Sequence, residues 1–164
     1  MGISKDFERG KEGEDLLISL LKKAKISCER NESKEERSYY DVKAKLESSS
    51  ITCEVKNDLY ASKSGNIAIE VYNPKSNKKS GLTITKSDLW VHIVDGNVWV
   101  ARTADLKGFI ETNKPLREVE KAGDGNATIL LYKAKDILPK VFKCIDHLSG
   151  KDIKKTIQSL TLQG

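Results

Sequence analysis

The amino-acid sequence predicts a mixed α/β domain, and three observations carry that prediction. Apolar residues recur at helical spacing near the start, short segments in the middle alternate polar with apolar residues, and helical spacing returns near the end. The 164 residues are enough for one domain of ordinary size. A single domain is therefore expected, with its core over residues 5–132 and C-terminal helices over residues 134–162. A hydrophobic content of 38% is enough to bury a core without a metal or disulfide framework.

The first element predicted is a helix from Lys5 to Ala24. Phe7, Leu16, Leu17, Leu20 and Leu21 fall near helical spacing, and Ser4 is placed to cap the start. Glu29 to Arg37 contains no apolar residue and reads as a loop. Asp41–Glu47 and Ser50–Lys56 both alternate, so they read as the strands of a hairpin turning at Ser48-Ser49. Pairing Glu47 with Ser50 sets Leu46 opposite Ile51, Ala44 opposite Cys53 and Val42 opposite Val55 on one apolar face. On the other face Asp41 then opposes Lys56, Lys43 opposes Glu54, and Asp41 is a diagonal neighbour of Glu54, within about 7–8 Å.

Asn57-Asp58 is a good turn former and is expected to end that strand, with a loop running on to Gly65. Asn66–Tyr72 reads as a third strand, and Asn73–Ser80 as a basic, turn-rich loop carrying Lys75, Lys78 and Lys79. Leu89–Val94 and Val98–Arg102 read as a second hairpin around Asp95-Gly96-Asn97. Thr103 is placed to cap a short helix ending near Glu111. Gly123–Asn126 then reads as a loop, Ala127–Tyr132 as a strand, and Asp136–Leu148 and Asp152–Leu160 as helices.

Charge narrows the partners. Lys and Arg outnumber Asp and Glu by 29 to 24, and the net charge of +5 favours an acidic partner, nucleic acid first. No run approaches the roughly 18 apolar residues of a membrane-spanning helix. The opening MGISKDFERG is charged where a signal peptide is apolar, so a cytoplasmic location and no membrane partner are expected. Cys28, Cys53 and Cys144 are an odd, widely spaced set that fits reduced thiols better than disulfides or a zinc site.

The pattern with chemistry in it is an acid at a strand start, Asp41, followed by Glu54-Val55-Lys56 on the neighbouring strand. Two convergent carboxylates suit a hard divalent cation such as Mg²⁺, which takes oxygen ligands at about 2.0–2.1 Å. Such an ion polarises a phosphoryl oxygen and lowers the pKa of a bound water. The i, i+2 spacing brings the Lys56 ammonium to the same face, where it can orient that water or offset charge developing on phosphorus. Glu14 adds a ligand if its helix packs over the strand ends. The plainer alternative is a solvated sheet face laced with cross-strand ion pairs, each worth roughly 0.2–1 kcal/mol.

Glu14 in a first helix, Asp41, and Glu54-Val55-Lys56 together resemble the PD-(D/E)XK nuclease superfamily, which includes archaeal Holliday-junction resolvases and many restriction endonucleases. The resemblance runs from Phe7 to Tyr72, with Tyr40-Asp41 standing where the family's name has Pro-Asp. It implies a central mixed β-sheet flanked by helices, restriction-endonuclease-like, and Mg²⁺-dependent hydrolysis of phosphodiester bonds, with Mn²⁺ as the alternative ion. It implies metal-ligand roles for Asp41, Glu54 and the main-chain carbonyl of Val55, a catalytic role for Lys56 and an accessory acidic role for Glu14. Ser80–Trp90 is similar to nuclease-like proteins of phage origin, in which a Ser-Gly and Thr-Lys-x-Asp pattern follows a Gly-Asn-x-x-x-Glu segment like Gly65–Glu70.

Other residues stand as accessories, each beside a plainer reading. Glu70 either joins the acidic cluster or sits on a partly exposed strand with a Lys partner. Lys86 either contacts phosphate or is a surface lysine. Lys75, Lys78 and Lys79 either track a phosphate backbone or are simply solvated. Trp90 and Trp99 read as core or interface residues, His92 as a structural histidine, Cys53 as a packing residue, and His147 as a histidine without a metal companion. The function expected is that of a Mg²⁺-dependent DNA endonuclease of DNA recombination, acting on branched DNA as a resolvase does. The alternatives are a small homing or restriction-type endonuclease, a non-catalytic nucleic-acid-binding protein on a nuclease fold, and a Lys-rich interaction subunit. A homodimer or higher homo-oligomer is expected by family analogy, with the Trp90/Trp99 hairpin as its interface.

Overall fold

A computed structural model of the chain describes residues 3–33, 39–73, 78–79, 81–122 and 127–162. Helix α1 (Ile3–Lys23) leads into strands β1 (Ser27–Arg30), β2 (Val42–Lys45) and β3 (Ser50–Asp58). Next come a short helix α2 (Ala61–Ser64), strands β4 (Asn66–Asn73) and β5 (Lys78–Lys79), and a single 3-10 turn at Gly81–Thr83. Strands β6 (Leu89–Val94) and β7 (Asn97–Arg102) precede helix α3 (Thr103–Thr112), and strands β8 (Arg117–Ala122) and β9 (Ala127–Lys133) precede helix α4 (Ala134–Val141). The two-residue strand β10 (Lys143–Cys144) and helix α5 (Gly150–Leu162) follow.

Six strands form one mixed sheet in the order β1-β2-β3-β6-β7-β10. The β3/β6 pair is parallel and the other pairs are antiparallel. The fold is thus α/β, a central mixed sheet flanked by helices. Alternation along β3 and β6 separates two cores. Val55, Val91 and Ile93 pack with Leu17 and Leu21 of α1 and Ile153 and Ile157 of α5. On the opposite face Trp90 and Ala101 pack with Leu106 of α3, Ile137 of α4 and Ile67 and Ile69 of β4. Both faces of β6 are therefore covered, which is why every residue of it but His92 is apolar.

Alternation alone does not reveal that β4 leaves this sheet. It joins an antiparallel four-stranded sheet of order β5-β4-β9-β8, so the parallel connection from β3 to β6 passes through α2, β4 and β5. The first hairpin is also offset from the expected register by two residues. Val42 pairs with Cys53, Ala44 with Ile51 and Lys45 with Ser50, and Leu46–Ser49 closes the turn through the Leu46 N–H on the Ser49 carbonyl at 2.7 Å. An even offset returns every side chain to its own face, so the apolar face survives while the opposing partners change.

Several boundaries move for identifiable reasons. β3 continues through Asn57-Asp58 because they pair with Ile93 and Val94 of β6. The Asp58 carboxylate accepts the N–H groups of Tyr60, Ala61 and Ala68, so it starts α2 instead of an open loop. Ser4 lies inside α1, and Thr103 is the first residue of α3 with Arg102 before it, so neither is the expected cap. Glu29 and Arg30, expected in a loop, pair with Lys43 and Val42 as β1. Lys78 and Lys79 form β5 against Asn73 and Tyr72, whereas Lys75 and the Gly123–Asn126 loop lie outside the described residues. The helix expected over Asp136–Leu148 ends at Val141, beyond Pro139, and β10 follows it. The second hairpin forms as expected, but Asp95-Gly96 alone makes its turn, at φ 53° and 77°, and Asn97 joins β7. Trp90 is fully buried and is not available as an interface residue. The three cysteines are free, and no helix among the described residues is long and apolar enough to cross a membrane.

Candidate active site

Strand β3 supplies the centre of the site. Its alternation sends Cys53 and Val55 towards α1 and sends Glu54 and Lys56 to the other face, where their β6 partners are Trp90 and His92. Asp41, one residue before β2, donates its N–H to the Cys53 carbonyl at 2.8 Å, and its carboxylate accepts the Val55 N–H at 2.8 Å. Asp41 therefore lies beside the Glu54 level of β3, not opposite Lys56 as the expected register had it. The Lys56 ammonium is 3.3 Å from Glu54 Oε1 and 5.9 Å from the Trp90 ring centroid.

Glu14 enters from α1. The helix lies close to β3 because Gly13 has no side chain there. A Cβ at Gly13 would stand 3.1 Å from Asn57 Cβ and 3.2 Å from Ile93 Cδ1. Glu14 accepts from Arg30 at 3.1 Å, and Arg30 also pairs with Asp15. Glu70 enters from β4 and adds its charge to the surroundings of Lys56.

The electrostatics describe an excess of partly buried acid. Burial pushes the Glu54 carboxyl up to about 7, and Asp41 adds repulsion against the opposing pull of Lys56 and Thr85. Asp41 is raised by burial despite its Val55 hydrogen bond and the charge of Lys56. Glu14 is raised by burial and then by Asp41, with Arg30 opposing. Burial pulls Lys56 down, but Glu54, Glu70 and Asp41 outweigh it and hold the ammonium above its ordinary value. One lysine thus faces more carboxylates than it can neutralise. That imbalance, in a donor set made of hard oxygens, is of the kind that suits Mg²⁺ or Mn²⁺, and Asp41, Glu54 and the Val55 carbonyl are the groups that would hold such an ion, with Glu14 beside them.

Thr85 is a site neighbour that sequence reasoning missed. Its hydroxyl lies 3.4 Å from Glu54 Oε2, 3.1 Å from the Tyr39 carbonyl and 2.9 Å from Ser87 Oγ. Ser87 in turn lies 3.2 Å from the Thr103 hydroxyl, so a buried row of hydroxyls backs Glu54. Asp88 accepts the Thr52 N–H at 2.9 Å and ties the same segment to β3. The signal was present, since Thr85 and Asp88 belong to the Thr-Lys-x-Asp pattern, but no spacing rule assigned them a partner.

The remaining candidates divide. Lys86 sits 3.9 Å over the Tyr39 ring, which places it beside the cluster and not in it. Lys78 and Lys79 lie on β5 of the second sheet. A cleft of about 390 Å³ opens beside Lys56 and Glu70, bordered by Arg9 and Tyr60, and one of about 580 Å³ lies beyond Thr85, bordered by Lys86 and Lys107. His92 is structural, as expected: fully buried, it accepts the Trp90 indole N–H on Nδ1 at 3.2 Å and donates from Nε2 to Asp58 at 2.9 Å. Cys53 is buried, its thiol pushed up to about 12 by burial. His147, expected to stand without a metal companion, has the ligating side chains of Cys144 and Asp146 beside it. In comparisons with known proteins, no family model matches the chain and no curated protein matches it.

Proposed function

We propose that this protein is a metal-dependent DNA endonuclease that hydrolyses phosphodiester bonds, on a restriction-endonuclease-like domain. One observation carries the reading: Asp41, Glu54 and Lys56 meet on one face of β3, with Glu14 and Glu70 brought in from two other elements. A solvated sheet face would not bury Glu54 at 8% exposure. A Mg²⁺ or Mn²⁺ ion held there supplies a Lewis acid for a phosphoryl oxygen and a bound water of lowered pKa.

The chain's own groups do the rest. The Val55 N–H fixes the Asp41 carboxylate, while Thr85 and Lys56 fix that of Glu54. Lys56 stays protonated among its acids and can donate to a phosphate oxygen or orient the attacking water. The net charge of +5 supports attraction of a polyanion towards a site that is itself acidic. Branched DNA is the substrate class proposed, in keeping with the resolvase likeness, and a sequence-specific duplex site is the alternative. Cutting two strands calls for two such sites, so a homodimer is proposed, with an interface that does not use Trp90. Three free thiols accord with action in a reducing, cytoplasmic compartment.

The test is cleavage of plasmid, linear duplex, single strand and a four-way junction by the purified chain in Mg²⁺, Mn²⁺ or EDTA. Cutting is expected with either ion and is absent in EDTA. Symmetrical nicks in the junction would select the resolvase reading. Cutting that ignores EDTA would contradict the proposal. Metal-independent binding of DNA without any cutting would leave a nucleic-acid-binding protein.

A further inference from the structure

The edge of the first sheet holds a second cluster of ligating side chains. Strand β10 pairs with β7 through Lys143↔Val100 and Cys144↔Trp99, and the chain then turns through Ile145, Asp146 and His147 towards α5. In the strand order this edge is three strands from β3, about 14 Å at the usual strand spacing. It is therefore separate from the acidic site. Cys144 Sγ, a carboxylate oxygen of Asp146 and an imidazole nitrogen of His147 lie within 4.8 Å of one another.

The turn is anchored. Ile145 is fully buried and donates its N–H to the Val98 carbonyl at 2.9 Å, while the Val98 N–H donates to Asp146 Oδ1 at 3.1 Å. Cys144 is thus held on β7 by strand pairing, and the Asp146 carboxylate by the Val98 N–H. His147 is exposed, with Nε2 3.3 Å from Asp146 Oδ2. The Cys144 thiol donates to Asp146 Oδ1 at 2.7 Å.

We propose that Cys144, Asp146 and His147 form a binding site for one borderline transition-metal ion, Zn²⁺ first. Sulfur, imidazole nitrogen and carboxylate oxygen are the donors that Zn²⁺ takes, and the thiolate discriminates against Mg²⁺. On binding, the S–H proton leaves to solvent, a sulfur–metal bond forms, and Asp146, still held at Oδ1 by the Val98 N–H, offers the ion its carboxylate from where it stands. Thiolate and carboxylate together balance the two positive charges, and neutral His147 is the third ligand. Two of the three donors are already held, so only the exposed imidazole has to be ordered. Three protein ligands leave a fourth tetrahedral position for water or an outside donor. The rival account is a set of hydrogen bonds that stabilises the turn and binds no metal.

The experiment is a titration of the EDTA-treated full chain with Co²⁺, followed by displacement with Zn²⁺. The expected result is a near-ultraviolet thiolate-to-cobalt absorption band that saturates at one ion per chain and disappears on adding Zn²⁺. The band is lost in Cys144→Ser, and Co²⁺ binds at least about 10-fold more weakly in His147→Ala, the least that loss of even an outer partner of a ligand costs; its side chain is exposed, so the fold is not at issue. It persists in Cys28→Ser and in Glu54→Gln, which separates this site from the acidic one. Absence of a thiolate band in the wild type, or a band that survives Cys144→Ser, would overturn the proposal.

Discussion

Glu54 is where burial and charge pull against one another. Its carboxyl is pushed up to about 7 by burial and by Asp41, from an ordinary value of 4.5. For an acid raised in this way the folded state is penalised only when the group is ionised. The penalty is absent below pH 4.5, grows through the interval and is complete above about 7. Between pH 4.5 and pH 8, Glu54→Gln should therefore gain about 1–3 kcal/mol of stability relative to wild type, read by urea unfolding without divalent cations. Adding Mg²⁺ at pH 8 should close the gap by stabilising the wild type alone. A difference that ignores both pH and Mg²⁺ would contradict a cation site at Glu54. The sequence made Asp41, Glu54 and Lys56 legible because alternation assigns each residue a face. It could not say which of them stand side by side, since a two-residue offset in the turn leaves every face unchanged. Thr85 was illegible as a partner because its contact with Glu54 joins residues 31 apart, across the excursion into the second sheet.

At the scale of elements, the acidic face depends on how β4 meets the segment before β6. Gly81 lies at φ 53°, and a Cβ there would stand 2.2 Å from the Glu70 carbonyl oxygen and 2.9 Å from its carbon. Neither atom can swing aside, because both are backbone of the strand that carries Glu70. The left-handed backbone costs about 1–2 kcal/mol for a residue with a side chain, and the clash adds to that. Gly81→Ala should destabilise by more than about 2 kcal/mol in denaturant unfolding. Gly10→Ala, inside α1 with nothing within 4 Å of the new Cβ, should be neutral or stabilise by up to about 1 kcal/mol. Equal stability for the two variants would show that the Gly81–Glu70 approach is not rigid. This contact also gives a physical reason for two segments that the sequence offered only as a pattern, Gly65–Glu70 and Ser80–Trp90. The long periodic elements, α1 and the β6–β7 hairpin, were readable from spacing and turn chemistry. β1, β8 and β10 were not: they are short or charge-rich, and their strand form comes from neighbours in the sheet.

At the scale of the molecule, the first sheet separates two cores, and the acidic residues gather where β3, the start of β2, α1 and β4 come together. A helix, a hairpin and a strand of the second sheet are needed to assemble them, and the proposed function assigns this convergence to chemistry on phosphodiesters. Binding alone does not test that, because a chain of net charge +5 would hold DNA through lysines elsewhere. The most direct measurement is the single-turnover cleavage rate at saturating four-way junction in Mg²⁺, with DNA affinity measured in parallel, for wild type, Glu54→Gln and Lys56→Ala. Each substitution should lower the rate by at least about 100-fold while changing DNA affinity less than about tenfold. Rates that match the wild type in both variants would contradict the proposed function.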